Sequence, residues 1–520
     1  MRLILLSILF GLSCFAGSAR AEWLQASSDH FVVYANDGER DLRRYSERLE
    51  RYHSAMALIT QRNTEKPSPS NRVTVYLVRS ERAVQDLYGK GSKYIGGFYI
   101  PRAGGSLAIV PQIQSSIQDP FSMVALLHEY AHHFIISASA LAMPRWVSEG
   151  SAEFFSSSTF QTDGGILLGR AAQHRAAELF LANDVKAEEL LDPAVYNKKS
   201  RRNYDAFYGK SWLLFHYLTF EKARRGQFKA YLELLQKGSG QREAAQAAFG
   251  DFGVLDKDLD RYLAQRKIMA LNLPANMLQV GPVEVRRLSV GEAAMMSVVV
   301  HSRRGVDDEE AKAVLREARD IAKHFPNDAA VLSALAESEY DAGNDKEAIA
   351  AADAALAIDP AQVNAYLQKG YALFRMAPDE KNSDQAYKRA RQPFIALNRR
   401  ENDHPIPLIY FYRSFVDQGL PPSQLAIDGL DRAVAVAPFD LGLRMTLATA
   451  LIQGGRQADA KRILQPVAFN PHGGDLADAA RKLLARLDSD PQWKGADMAA
   501  VLGTAGAAGS EPKACSAGAC

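Results

Sequence analysis

The sequence predicts an α+β chain, with a small mixed sheet and helices first and an α-helical repeat domain after them. Three observations predict it. From Glu22 to about Gln114, β-branched and aromatic runs alternate with helical stretches. From Pro120 to about Lys267 the pattern is almost wholly helical. From Asp307 onward small residues recur with a period near 34, the span of a stacked helix pair.

In chain order, residues 1–21 read as a secretory signal. Arg2 is a minimal basic start, Leu3 to Phe15 an apolar core, and Ala19-Arg20-Ala21 a small-x-small cleavage pattern before Glu22. The expected location is therefore periplasmic or secreted, with no stable membrane span after signal removal. Removing the signal with Arg2 and Arg20 leaves 60 basic and 60 acidic side chains. That balance gives no sign of a nucleic-acid partner or a polybasic membrane contact. Cys14 leaves with the signal, and Gly11 stands where a lipoprotein motif prefers an aliphatic residue. Only Cys515 and Cys520 remain, both in a Gly/Ala/Ser tail, so a disulfide scaffold is excluded.

His30–Ala35 (HFVVYA) is the first clear strand, followed by a charged helix over Gly38–Gln61. Arg72–Val78 (RVTVYLV) alternates with period two. Gly96–Ile100 and Ser106–Val110 are two more strands, joined by Pro101, Ala103, Gly104 and Gly105. Residues 271–306 read as a connecting segment holding a strand pair, VEVRRL and AMMSVVVH. Residues 307–495 form the repeat domain and 496–520 a low-complexity tail. Within the repeats, Pro326 and Pro360 stand 34 apart, with Ala336, Gly343, Ala348 and Ala355 at close-packing positions. Pro438 and Pro471 repeat the spacing at 33. These stretches resemble tetratricopeptide repeats, which implies a protein partner bound by stacked helix pairs.

The chemistry sits in LLHEYAHHFIISASALAMPRWVSEGSAEFF, residues 126–155. His128 and His132 are four apart, so on a helix they share one face and can reach one divalent ion. Glu129, turned by one residue, can contact a water on that ion without being a ligand. Glu149 follows His132 by seventeen residues. A helix running about five residues past His132, a loop over Ala138–Met143 and a second helix opened by Pro144 return Glu149 to the level of His132. A third donor thus arrives where a tetrahedral Zn²⁺ site needs it. Glu153, one turn beyond Glu149, is placed to accept a hydrogen bond from the free nitrogen of a ligand histidine.

HEYAH followed by WVSEGSAEF resembles the gluzincin metallopeptidases, most closely the peptidase-MA-like proteins, over roughly residues 22–270. The resemblance implies a small mixed sheet with a helical zinc peptidase domain, with Zn²⁺ held by His128, His132 and Glu149 and with Glu129 as general base. Tyr208, in YGKSWLLFHYL, is similar to the tyrosine of the clan's Y-x-K-G element, whose hydroxyl stabilises the tetrahedral intermediate. It follows Glu149 by 59 residues, with Ser211 in place of the usual Gly, and Tyr204 is the competing assignment. The strands before the motif are similar to a sheet whose edge pairs with a peptide or protein substrate. The aminopeptidase signature G-x-M-E-N is absent upstream of His128.

Other residues carry less. His133 points about 100° away from the ligands on the helix and reads as a packing histidine. His216 reads as a core histidine and Lys210 as a helix-surface lysine. Residues 123–143 hold one formally charged side chain, but no second long apolar segment brings a partner Asp for intramembrane chemistry. Two functions are expected from this sequence: an exported zinc peptidase with repeats for protein recruitment, or an inactive peptidase-like scaffold that binds proteins through its repeats.

Overall fold

The computed structural model describes residues 23–62, 65–89, 95–112, 121–138, 143–198, 204–470, 473–502 and 515–516. The expected signal segment, residues 139–142 of the expected loop, and most of the tail including Cys520 lie outside the described residues.

The strands are β1 (Leu24–Ser27), β2 (Phe31–Ala35), β3 (Val73–Val78), β4 (Phe98–Ile100), β5 (Leu107–Pro111), β6 (Thr159–Phe160), β7 (Ile166–Leu168), β8 (Leu271–Leu273), β9 (Glu284–Arg287) and β10 (Cys515–Ser516). Seven of them form one mixed sheet in the order β10-β4-β5-β3-β2-β1-β9, and β6-β7-β8 form a second. The centre of the large sheet is parallel, with Phe31 opposite Val73 and Thr74 opposite Leu107. Its flanks are antiparallel, with Leu24 opposite both Ala35 and Arg287, and Phe98 opposite Ile109. The period of two along β3 splits its side chains between faces. Val73, Val75 and Leu77 join one core, and Tyr76 and Val78 join another.

Helices α1 (Glu39–Thr60) and α3 (Phe121–Ala138) cover the first face, and α2 (Glu81–Tyr88) covers the second. Then follow α4 (Arg145–Ser156), α5 (Ala176–Leu181), α6 (Ala187–Leu191), α7 (Pro193–Tyr196), α8 (Phe207–Phe220), α9 (Gln227–Gln236), α10 (Gln241–Phe249) and α11 (Phe252–Leu263). Among the described residues no helix is long and apolar enough to cross a membrane.

The run AMMSVVVH is not the expected strand. It lies in helix α12 (Val290–Arg304). A capping box starts that helix: the Ser289 hydroxyl accepts from the Glu292 N–H at 3.0 Å, and the Glu292 carboxylate accepts from the Ser289 N–H at 2.7 Å. The two faces of the helix then separate. Met296 and Val300 pack under the sheet, while Met295 and Val298 pack against the next helices. Its β-branched residues fit because both faces are buried, so tertiary packing outweighs their weak helix propensity.

The remaining helices are α13 (Asp308–His324), α14 (Ala329–Asp341), α15 (Asp345–Ile358), α16 (Val363–Met376), α17 (Ser383–Arg400), α18 (Pro405–Val416), α19 (Gln424–Val436), α20 (Leu441–Gln453), α21 (Gln457–Ala468), α22 (Asp475–Ser489) and α23 (Met498–Leu502). From α14 onward they pack against their chain neighbours as a tetratricopeptide-like array. Ala336, Ala351, Ala352, Ala355 and Ala365 pack around Leu332 in one core, and their small side chains let the helix axes approach closely. Gly343, at φ +83°, makes the turn from α14 to α15.

The array returns to the sheet. The Glu401 carboxylate accepts from the Ser70 N–H at 2.9 Å, and Asp440, which caps α20 by accepting from the Leu443 N–H at 2.8 Å, also accepts from the Ala103 N–H at 2.9 Å.

Candidate metal centre

Helix α3 carries the HEYAH motif deep in the molecule, and α4 lies against it. Helix α3 packs on the large sheet at β4 and β5, and α4 lies between α3 and α8; Leu126, Leu127, Tyr130, Ala131, Trp146 and Val147 belong to the same core. Gly150 sets how α4 meets α8. A Cβ there would lie 2.4 Å from the Ser211 carbonyl oxygen, so only a glycine lets the two backbones come this close.

Three donors converge. His132 Nε2 is 3.1 Å from His128 Nε2 and 3.3 Å from Glu149 Oε2, and His128 Nε2 is 3.5 Å from the same oxygen. A tetrahedral ion with bonds of about 2.0–2.1 Å needs donors roughly 3.3 Å apart. The triangle brackets that value, so the residues present fit a zinc ion without rearrangement. Among the described residues these three are the group of His, Cys, Asp and Glu donors able to share a metal. All are buried, and Glu149 is 0% exposed. Glu129, the motif's second residue, is also buried. Glu129 lies in a narrow crevice between α3 and the strands β4 and β5, beside Tyr99 and Val110.

Each of the two histidines is held from behind. His128 Nδ1 lies 3.2 Å from Glu153 Oε1, and the Ser148 hydroxyl lies 3.2 Å from His132 Nδ1. Such contacts fix the ring and its tautomer, leaving Nε2 for a metal. Glu153 is itself 0% exposed and takes two further partners from the segment before α5. His174 Nε2 is 2.5 Å from Glu153 Oε2, and Arg175 Nε donates to Glu153 Oε1 at 2.9 Å. Burial by itself would raise the Glu153 pKa, but Arg175 and His128 hold the carboxyl well below its usual value. Burial would likewise lower that of His128, but Glu153 and Glu149 raise it to about 10. The carboxylates around His128 therefore favour positive charge on or beside its ring.

Tyr208 is half-buried near the start of α8. The Arg175 guanidinium lies 4.8 Å from its ring centre and that of Arg145 5.7 Å. Tyr204, the competing assignment, is 68% exposed. His133 turns away from the ligands, as its angular position on the helix requires. Its Nδ1 is 2.5 Å from the Tyr99 hydroxyl, and its ring packs 4.3 Å from Phe439 of the repeat array. His216 is a core residue, with Nε2 2.8 Å from the Gly169 carbonyl and Nδ1 2.9 Å from the Tyr262 hydroxyl. Lys210 departs from the sequence expectation. It is buried rather than on the helix surface, and its ammonium pairs with Asp184 at 2.9 Å.

Ser148, His174, Arg175 and Arg145 were not singled out in the sequence. Ser148 had a signal, because it precedes the ligand Glu149 on the same helix. His174 and Arg175 had none, because a loop and β6-β7 separate them from Glu153.

Residues 123–242 match the family described as "Protein of unknown function (DUF1570)". No curated protein matches the chain. Among solved structures, TTC0263, a thermophilic TPR protein of Thermus thermophilus, is similar at 16% identity and a TM-score of 0.32, covering 38% of this chain and 100% of that one. MamA of Desulfovibrio magneticus is similar at 16% identity and a TM-score of 0.27, covering 38% of this chain and 97% of that one.

Proposed function

We propose that the chain is an exported zinc-dependent peptidase, periplasmic or secreted, whose tetratricopeptide-like repeats recruit protein. The observation that carries the reading is the buried His128–His132–Glu149 triangle with edges of 3.1, 3.3 and 3.5 Å. His128, His132 and Glu149 would hold a zinc ion, which when bound would supply Lewis acidity to a peptide carbonyl and to the attacking water. Glu129 takes the proton from that water on its carboxylate and delivers it to the leaving amine nitrogen. Its place in the buried motif, next to His128, keeps the proton within the site. The Tyr208 hydroxyl donates to the oxygen that gains charge as water adds to the carbonyl. Ser148 and Glu153 keep the two imidazoles turned with Nε2 inward.

The test is metal analysis of the matured chain, with hydrolysis of a denatured protein substrate by wild type and Glu129→Gln. One zinc per chain is expected in both. Turnover in the variant is expected to fall by about 10²–10⁴, the usual contribution of a general base. Normal turnover by Glu129→Gln would remove this mechanism.

A second reading is a protein-binding scaffold with an inactive peptidase-like region. It is favoured by a largely apolar cavity of about 490 Å³ between α17, α18 and α19, lined by Phe394, Leu408, Phe411 and Leu425. Zinc binding without turnover in wild type would select this reading.

A further inference from the structure

Arg175 touches three parts of the site at once. Its Nε donates to Glu153 Oε1 at 2.9 Å, and Glu153 in turn backs His128. Its Nη1 donates to Glu178 Oε2 at 3.3 Å. Glu178 Oε1 accepts from the Gly209 N–H at 2.7 Å, and the same carboxylate engages the Tyr208 backbone N–H. The guanidinium also lies 4.8 Å from the Tyr208 ring centre. One planar cation therefore reaches both the support of a ligand and the backbone and ring of the tyrosine.

We propose that Arg175 is a positioning residue that couples His128 to Tyr208, through Glu153 on one side and Glu178 on the other. This rests on the reading of the three-donor cluster as a zinc peptidase centre. Arginine suits the task because its rigid fork serves two carboxylates in fixed directions while its flat face stacks on an aromatic ring. A lysine supplies the charge but neither the fork nor the face. Without Arg175, Glu153 loses its strongest partner and lets the His128 ring rotate, and the first turn of α8 loses the group that steadies Glu178.

The experiment uses the full chain as wild type, Arg175→Gln, Arg175→Lys, Tyr208→Phe and the Gln/Phe double variant. Zn²⁺ affinity is read by competition with a chromophoric chelator, and the Co²⁺ absorption spectrum reports ligand geometry. Arg175→Gln is expected to bind Zn²⁺ about tenfold more weakly, the usual effect of removing an outer partner. Its Co²⁺ spectrum is expected to change, and Arg175→Lys to recover only part of the affinity. Tyr208→Phe is expected to bind Zn²⁺ as wild type does. In turnover, Arg175→Gln and Tyr208→Phe are each expected to lower kcat more than they raise KM. The double variant is expected to fall well short of the product of the two losses, because coupled residues are not additive.

Wild-type Zn²⁺ affinity and an unchanged Co²⁺ spectrum in Arg175→Gln would overturn the proposal, as would fully multiplicative losses in the double variant. If Arg175→Gln does not fold, Arg175→Lys decides on the same readouts. Absence of turnover in zinc-loaded wild type would overturn the peptidase reading alone, and the metal affinities would still decide the role of Arg175.

Discussion

The helices around the three-donor cluster and the helices of the repeat array solve the same packing problem with different side chains. Helices α3 and α4 meet over His128, Glu129, His132, Glu149 and Glu153, all buried. Helices α14, α15 and α16 meet over Ala336, Ala348, Ala352, Ala355, Ala365 and Ala372, also buried. Alanine stacking brings helices together at little entropic cost and leaves no polar group to satisfy. Buried ionisable groups destabilise unless each finds a partner. The array pairs its few buried carboxylates with more exposed cations, as with Glu339 and Arg319 at 2.7 Å. The first region gathers its charges on two facing helices and backs Glu153 with His174 and Arg175.

Four measurements break or sharpen this contrast. The largest effect is expected from acid, through one buried histidine in each region. Burial lowers the pKa of His216 in the first region and of His404 in the array from 6.5 to about 4. Below the unfolded value the unfolded chain takes up the proton first, so stability falls as pH drops from 6.5 towards 4 and levels off below that. At about 1.4 kcal/mol per unit, the pair together carries several kcal/mol. His404 Nδ1 accepts from the Ile406 N–H at 3.3 Å, so α18 is expected to loosen over that range too. Denaturant midpoints against pH check the slope, and His216→Gln is expected to flatten it. A flat profile in wild type would show that neither ring is held neutral.

Next comes Gly150→Ala, which drives a methyl group into the Ser211 backbone at 2.4 Å. Backbone yields poorly, so a loss of about 3 kcal/mol is expected, with weakened zinc binding as α4 shifts. Third, zinc at a hundred times its Kd is expected to add about 2.7 kcal/mol to the first region and to leave the array's melting unchanged. Calorimetry with and without chelator reads this directly. The smallest effect is expected from Gly370→Ala, where the added methyl meets the ring tip of Phe394 at 2.3 Å. A side chain can swing where backbone cannot, so roughly 1 kcal/mol is expected. Equal losses for the two glycine variants would erase the contrast between the regions.

The spacing of His128, His132 and Glu149 was legible because a helix repeats locally, so residues four apart share a face whatever surrounds them. Strand β3 was legible for the same reason with period two, and β2, β4 and β5 from their apolar, aromatic runs and the turn residues that bound them. AMMSVVVH misled because its composition favours a strand, while the S-V-G-E capping box before it marks a helix start. Lys210 misled because nothing near it in sequence shows that Asp184 will come to meet it.

By itself the sequence determined the elements that depend on near neighbours: the motif helix, the returning helix and the period of the repeats. Tertiary structure decided which charges are buried and what holds them. It placed Arg175 behind Glu153 and beside Tyr208, set α4 on α8 through Gly150, and brought Glu401 and Asp440 back to the sheet. The reason is physical: local periodicity follows from bond geometry within a few residues, whereas the partner of a buried charge is fixed only when distant segments share one low-dielectric interior.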